Sequence, residues 1–166
     1  MKTAIITGAS GGIGAALVKK FALEGYFVAG GYNKGEDRAK ALVRELGGYK
    51  DYFMPVFSDL SETGGADKLF EAAKENFGHT DVLVCAAGLD LYKLCEETEP
   101  EELDKLFAVN VSAAYRLASL ALPEMQHREF GRIIFISSVW GAVGAAMESA
   151  YSASKSALIG LTKALA

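Results

Sequence analysis

The amino-terminal sequence TAIITGASGGIG, Thr3 to Gly14, indicates the fold class of the chain. Residues 3–7 are apolar without alternation, as in parallel strands covered on both faces. Beyond the glycines, apolar residues recur at helical spacing and predict a helix: Ile13, Ala16, Leu17 and Phe21. In this order of strand, glycine turn and helix, the backbone can approach a pyrophosphate, whose charge meets the N–H groups of the helix. A tight turn that only packs the helix onto the sheet would look the same, so both interpretations stay open here.

Four more strands are predicted along the chain, at Tyr26–Tyr32, Tyr52–Phe57, Asp81–Cys85 and Arg132–Ile136. Pro55 indicates that the third strand lies at an edge or a bulge. The intervening helices are predicted at Ala39–Leu46, from about Glu62 to Phe77, from about Pro100 to Met125, and from Tyr151 onward. Alternating strands and helices predict one doubly wound α/β domain over residues 1–166, with right-handed crossovers.

Composition excludes several classes of function. Of 166 residues, 51% are hydrophobic and 23% charged, and the net charge of −4 argues against a nucleic-acid partner. The apolar runs are short, so we expect neither a membrane span nor a signal peptide. Cys85 and Cys95 lack C-x-x-C spacing and the two histidines are isolated, which argues against a metal site or a disulfide. Free thiols predict a reducing, cytoplasmic location.

The end of the second strand bears on the cofactor. An Asp or Glu usually binds the ribose 2′-hydroxyl there, but this chain has Asn33 and Lys34. A 2′-phosphate could pair with Lys34 or Arg38, so we expect NADP, with NAD possible. A solvated turn that begins a helix is the alternative interpretation.

Two other strand ends are predicted at the same edge of the sheet. Asp59, after the third strand, could accept from an adenine amino group or could cap the following helix. After the fourth strand, Ala86, Ala87 and Gly88 leave room for a ligand against the backbone. The region from Trp140 to Ser149, rich in glycine and alanine, could shape a substrate mouth.

Tyr151 and Lys155 are the candidates for catalysis. Four residues apart, they share one face of a helix, and an ammonium close to a phenol favours the phenolate and so lowers the pKa of the phenol. Such a tyrosine can donate or accept a proton near neutral pH. Ser138 ends the fifth strand thirteen residues before Tyr151. Asn110 interrupts an apolar helix, either as a packing group or as the holder of a water. The alternative is that Tyr151 and Lys155 form a pair on the helix surface and that Ser138 caps a helix or a turn.

Together these motifs resemble the short-chain dehydrogenase/reductase family from Met1 to Ala166. TGASGGIG (residues 7–14) matches its T-G-x-x-x-G-x-G turn, and Asp59-Leu60 its adenine-contacting pair. Asn110, Ser138 and the Tyr151–Lys155 pair match its catalytic set. Gly131-Arg132-Ile133-Ile134 and YSASK (residues 151–155) look most like 3-oxoacyl-(acyl-carrier-protein) reductases.

The resemblance implies reduction of a carbonyl by hydride transfer. Tyr151 would donate the proton and Lys155 would favour its ionisation and bind the ribose. Ser138 would hold the substrate oxygen, and Asn110 would position a water. The cofactor would lie against Gly8, Ser10, Gly12, Ile13, Gly14, Asn33, Lys34, Asp59, Leu60, Ala87, Gly88, Tyr151 and Lys155.

The sequence departs from the family in three places. Cys85 replaces the usual Asn after the fourth strand, and Gly11 stands where many NADP-preferring members carry Arg or Lys. Family members also run on for about 80 more residues, so the chain is expected to lack the last strands. In family members the helices with Asn110 and Tyr151 commonly pair with their copies in a second subunit, so the resemblance implies a homo-oligomer.

Two alternative functions stay open. The first is a dinucleotide-binding fragment without turnover. The second is a nucleotide-sugar epimerase, which shares Y-x-x-x-K but usually has a G-x-x-G-x-x-G turn.

Overall fold

The computed structural model describes all 166 residues and contains one parallel sheet of five strands. The strands are β1 (Lys2–Thr7), β2 (Tyr26–Tyr32), β3 (Phe53–Phe57), β4 (Val82–Cys85) and β5 (Arg132–Phe135). Their order is β3-β2-β1-β4-β5. The doubly wound α/β prediction is confirmed, and every predicted strand agrees with the observed one to within a residue. The order reverses between β1 and β4, which opens a crevice at their carboxyl ends.

The chain has seven α-helices: α1 (Gly12–Leu23), α2 (Glu36–Glu45), α3 (Gly65–Phe77), α4 (Pro100–Phe107), α5 (Ala113–His127), α6 (Trp140–Val143) and α7 (Ser149–Leu165). Short 3₁₀ turns occupy Gly47–Tyr52 and Cys95–Glu97. The prediction that α3 begins near Glu62 is wrong by three residues. The short helix α6 and both 3₁₀ turns were not predicted, because segments of three to six residues show too little periodicity.

Two apolar clusters form the core, one on each face of the sheet. Side chains of α1 and α2 pack on one face and those of α3, α5 and α7 on the other. Successive β1 residues contribute to both clusters, Ala4 and Ile6 to the first and Ile5 to the second. This two-sided burial is why β1 shows no alternation in sequence. Pro55 lies in β3, an edge strand, as predicted.

The fully buried residues of α1 are not the ones whose spacing predicts the helix. Gly14, Val18 and Ala22 are buried, whereas Ile13 is 58% exposed and Ala16 is also exposed. Small residues at a spacing of four let α1 approach the sheet closely, so its larger apolar side chains lie at the rim or in solvent. The predicted helix is present, and of the four residues whose spacing predicts it, Leu17 and Phe21 pack partly buried against the core.

Residues Pro100–His127 form one continuous helical stretch with a widened π turn at Ala108–Ser112. By length and composition alone these 28 residues could cross a membrane, contrary to the sequence expectation. The core helices of soluble proteins pass the same test, and this stretch packs buried side chains such as Leu117 and Ala121 against the sheet.

At the amino ends of β1 and β4, polar groups form hydrogen bonds and an ion pair with one another. Asp81 accepts the Thr3 N–H at 2.9 Å and pairs with the Arg128 guanidinium at 2.9 Å. The Thr3 hydroxyl donates to the His79 carbonyl at 2.9 Å. Burial raises the pKa of Asp81, but the Thr3 N–H and Arg128 outweigh it and hold the pKa below its usual value. We call Thr3, His79, Asp81 and Arg128 the amino-end cluster.

Candidate active site

The turn after β1 brings the backbone close to the end of β4. Gly8 has a φ of +69°, a conformation that favours glycine, and a Cβ there would lie 2.9 Å from the Ala87 Cα. A Cβ on Gly14 would overlap the Gly8 carbonyl oxygen, so α1 packs directly beneath the turn. No side chain caps α1 at Gly11, and its first turn has no acidic residue. The first N–H groups of α1 therefore favour an anion.

A cleft of about 520 Å³ opens beside this turn, a volume typical of small-molecule sites. Its walls come from the carboxyl ends of β1 to β4 and from α4 and the π turn. The residues that line it include Gly8, Ser10, Gly11, Asn33, Lys34, Arg38, Asp59, Leu60, Ala87, Gly88, Leu89, Asp90, Lys105 and Val109.

Cations outnumber carboxylates along the cleft by three to two. Lys34, Arg38 and Lys105 line it together with Asp59 and Asp90, although the whole chain carries a net charge of −4. A locally positive cleft on an acidic protein concentrates anionic ligands there.

Asp59 is held in place by the turn that follows β3. Its Oδ1 accepts the Ser61 N–H at 2.9 Å and the Ser61 hydroxyl at 2.7 Å. These hydrogen bonds, with smaller contributions from Asn33 and Lys105, hold the pKa of Asp59 below its usual value. Asp59 does not cap α3, which begins at Gly65, so the capping interpretation is wrong. The carboxylate is an anionic acceptor at the cleft wall.

Lys155 lies between the ends of β4 and β5. Its Nζ donates to the Ile136 carbonyl at 2.9 Å and is 5.6 Å from the centroid of the Tyr151 ring. A Cβ on Gly88 would lie 3.3 Å from this Nζ, so the ammonium borders the cleft. Lys155 is 5% exposed, and this burial lowers its pKa. Two of its three donors remain for a ligand.

Ser138 has its hydroxyl hydrogen free. Its Oγ accepts the Trp140 N–H at 3.2 Å, and the hydroxyl donates to no group of the chain. The neighbouring Ser137 hydroxyl donates to the Lys155 carbonyl at 2.8 Å, which ties the end of β5 to α7. Ser138 is thus placed at the end of α7 that carries Lys155, with a donor available. The Tyr151 side chain is half-buried, and its hydroxyl also makes no hydrogen bond within the chain.

Asn110 lies in the π turn and is 1% exposed. Its Oδ1 accepts the Leu89 N–H at 2.7 Å, and its Nδ2 donates to the Leu89 carbonyl at 2.9 Å and to the Ser154 hydroxyl at 3.0 Å. Both amide donors are therefore used by the protein. Asn110 fixes the backbone after Gly88 and links it to α7, which agrees with the interpretation as a packing group.

The predicted cofactor residues fall into three sets. Those that line the cleft are Gly8, Ser10, Asn33, Lys34, Asp59, Leu60, Ala87 and Gly88. Gly12 and Ile13 are exposed at the start of α1, whereas Gly14 is buried beneath the turn. Lys155 adjoins the cleft through Gly88, and its Nζ lies 5.6 Å from the centroid of the Tyr151 ring.

The prediction missed Lys105, Val109 and Asp90 among the cleft residues. Lys105 and Val109 are four apart on the helical stretch that carries Asn110, so their shared face was the available signal. No signal in the sequence marked Asp90.

A dinucleotide fits the residues present. The uncapped start of α1 and the glycine turn suit a pyrophosphate, and Asp59 suits an amino group. Lys34 and Arg38 suit a further phosphate, since no carboxylate follows β2 directly. The free donors of Lys155 suit ribose hydroxyls. No group of three His, Cys, Asp or Glu residues is placed to hold a metal ion.

Comparison with known proteins agrees with this geometry. The family model for short chain dehydrogenases matches residues 2–166. The chain is 34% identical to the D-beta-hydroxybutyrate dehydrogenase of Cupriavidus necator, covering 99% of this chain and 64% of that protein. It is 36% identical to the 3-oxoacyl-(acyl-carrier-protein) reductase of Staphylococcus aureus, covering 99% of this chain and 67% of that protein. The chain thus spans about two thirds of the length of these relatives.

Among solved structures, a metagenomic short-chain oxidoreductase in complex with NADP matches with a TM-score of 0.93 and 34% identity. This match covers 99% of the present chain and 75% of the other. A short-chain dehydrogenase from Streptomyces avermitilis matches with a TM-score of 0.90 and 33% identity, covering 99% and 59%.

Proposed function

The chain belongs to the short-chain dehydrogenase family, and we propose that it interconverts a carbonyl and an alcohol with NADP as the cofactor. The observation that carries this proposal is the placement of Lys155. Its buried ammonium lies beside both Gly88 of the cleft and the Tyr151 ring. That position joins an anion-binding cleft to a candidate proton donor.

The side chains divide the work as follows. A bound reduced nicotinamide supplies the hydride when the carbonyl is reduced. Ser138 donates its free hydroxyl hydrogen to the carbonyl oxygen, where negative charge develops in the transition state. Tyr151 transfers its phenolic proton to that oxygen, and the Lys155 ammonium stabilises the phenolate that remains. Asn110 holds Leu89 in position, which keeps the wall of the site fixed.

NADP is favoured over NAD by the charges at the end of β2. Lys34 and Arg38 line the cleft there, and Asn33 replaces the carboxylate that would repel a 2′-phosphate. The matched oxidoreductase whose title names NADP supports the same choice.

For the substrate, we propose a 3-oxoacyl thioester, following the reductase among the relatives. The other relative is named for hydroxybutyrate, a hydroxy acid, so a small acid is the second candidate. Both reactions interconvert a carbonyl and an alcohol. We further propose a cytoplasmic location, which the two free cysteines support.

We also propose a homo-oligomer that pairs the helices carrying Asn110 and Tyr151. Tyr115 is 61% exposed and Leu103 is 38% exposed on the first of these helical stretches, where they offer apolar contact. Sedimentation of the chain and of its Tyr115→Glu variant tests this, and an unchanged monomer in both contradicts it.

The central experiment measures binding and turnover separately. NADPH binding is followed by its fluorescence, and NADPH oxidation is followed with acetoacetyl-N-acetylcysteamine, a small 3-oxoacyl thioester. Binding together with oxidation supports the proposal. Binding without oxidation of this or any other ketone supports a dinucleotide-binding protein without turnover, and absence of NADPH binding contradicts both.

A further inference from the structure

The surface next to Ser138 is apolar. Val139, Trp140 and Val143 are 63%, 39% and 72% exposed, and their spacing places Val143 on the same helical face as the other two. Exposed large apolar side chains that cluster in this way indicate a binding surface. They follow directly on Ser138, whose Oγ accepts the Trp140 N–H.

This apolar face has a fixed position. Gly141 is buried against α7, and a Cβ there would lie 2.7 Å from the Lys155 carbonyl carbon. The Ser156 hydroxyl donates to the Gly141 carbonyl. Because α6 is attached to the helix that carries Tyr151 and Lys155, its apolar side chains keep a constant place relative to those two residues.

Asp90 places a single carboxylate on the cleft wall that continues from Gly88. Asn110 clamps the preceding residue, Leu89, through both its backbone N–H and its carbonyl. Asp90 lines the cleft, is exposed, and takes part in no ion pair of the chain. Its carboxylate therefore has no salt-bridge partner within the chain.

Resting on the proposed carbonyl reduction, we propose that Asp90 and the α6 face select uncharged, apolar carbonyl compounds. Asp90 repels a substrate carboxylate close to the carbonyl, and Val139, Trp140 and Val143 bind an alkyl chain. The site then favours esters and thioesters of 3-oxo acids over the free acids. A like charge near the substrate carboxylate in a water-exposed site should change affinity by about tenfold.

The chain contains its own reporter for the test. Trp140 is its only tryptophan, and it lies next to Ser138, so its fluorescence reports ligands at this surface whether or not they react. Acetoacetate, ethyl acetoacetate and ethyl 3-oxohexanoate are titrated with NADP⁺ present, a condition under which no carbonyl is reduced. We expect ethyl acetoacetate to bind about tenfold more tightly than acetoacetate, and the longer ester to bind more tightly still.

Two variants and a control assign the effect. Asp90→Asn should bring the affinities for acetoacetate and its ester to within about twofold. Val143→Ser, an exposed change, should weaken the longer ester severalfold and acetoacetate little. Asp51→Asn removes an exposed carboxylate before β3, at the opposite edge of the sheet, and should leave all ratios unchanged.

The outcomes separate this inference from the proposed reaction. Equal binding of acetoacetate and its ester, an unchanged ratio in Asp90→Asn, or no response to any probe overturns the selection. Selective binding of esters without NADPH oxidation would contradict the reaction and leave the selection intact. If acetoacetate and its ester both oxidised NADPH and bound with equal affinity, only the selection would be contradicted.

Discussion

The two ends of the strands use polar residues in opposite ways. In the amino-end cluster, Asp81 is matched by a backbone N–H and by Arg128, and Thr3 bonds to both Asp81 and His79. At the carboxyl ends, Ser138 and Tyr151 keep donors that no group of the chain accepts. Groups that the protein satisfies internally stabilise the fold, whereas groups left free are available to a ligand.

The two ends of the strands should therefore respond differently to substitution. Changes at the carboxyl ends should alter binding and turnover with little effect on unfolding. Changes in the amino-end cluster should lower stability with little effect on the cleft, because the two regions lie at opposite edges of one sheet.

Tyr151→Phe should have the largest effect. It removes only the proton donor, so turnover should fall at least a hundredfold while NADPH affinity and melting temperature stay nearly unchanged. Steady-state NADPH oxidation, NADPH fluorescence and thermal unfolding provide the three readouts.

Its matched control is Tyr49→Phe, the same change at an exposed tyrosine in the 3₁₀ turn before β3. That variant should keep its full rate. A Tyr151→Phe enzyme that retained most of its turnover would refute the assigned role of the phenol.

Asp81→Asn should have the next largest effect, on stability alone. It weakens the charged hydrogen bond to Arg128, which we expect to cost about 2 kcal/mol of unfolding free energy. For a chain of this size that corresponds to a melting temperature lower by about 4–8 °C. NADPH affinity should not change, and Asp51→Asn is the control with an exposed carboxylate.

The loss of stability in the Asp81→Asn variant should depend on pH. The pKa of Asp81 in the fold lies below its ordinary value of 3.8, so its stabilisation is present above that pH and is lost as the pH falls through the folded pKa. The difference between wild type and Asp81→Asn should be largest near neutral pH and should shrink below about pH 4. A difference that stayed constant down to pH 3 would mean that the charge of Asp81 contributes nothing.

Much of this division could not be predicted from the sequence. The strands were predictable because each is a buried apolar run between turns, and TGASGGIG (residues 7–14) indicated the turn. Asp59, Asp81 and Asp90 all flank strands, yet one is held by Ser61, one pairs with Arg128 and one has no partner. Those partners depend on tertiary placement, which no local pattern encodes.

The helix with Asn110 also has features that depend on residues distant in sequence. Its length was predicted, but the π turn at Ala108–Ser112 was not. The side chain of Asn110, within that turn, bonds to both Leu89 and Ser154, groups distant in sequence. A widened turn at such a position is common at functional sites.

Lys34→Ala should have a smaller effect, confined to the choice of cofactor. Removing one exposed cation near a 2′-phosphate should weaken NADPH about five- to tenfold and NADH hardly at all. Lys50→Ala, in the 3₁₀ turn before β3, is the control. If NADH bound the unaltered chain more tightly than NADPH, the assignment of Lys34 would be wrong.

The smallest effect concerns the two thiols, which should differ in reactivity because one lies in a buried strand and the other in an exposed turn. Cys85 is 4% exposed at the end of β4, and burial raises its pKa to about 12. Cys95 is exposed in a 3₁₀ turn. Because the thiolate is the reactive form, a thiol reagent such as dithionitrobenzoate should label one cysteine per native chain at pH 8, and two after unfolding.

Cys95→Ser separates the two sites and makes Cys85 a probe of the sheet. In this variant the native chain should react only as fast as β4 opens. Asp81→Asn in the same background should speed this labelling, because the amino-end cluster anchors β4 to β1 through Thr3. Tyr151→Phe should leave the labelling rate unchanged. Rapid labelling of Cys85 in the unperturbed chain would show that the end of β4 is not closed, and the contrast between the two ends of the sheet would then fail at this strand.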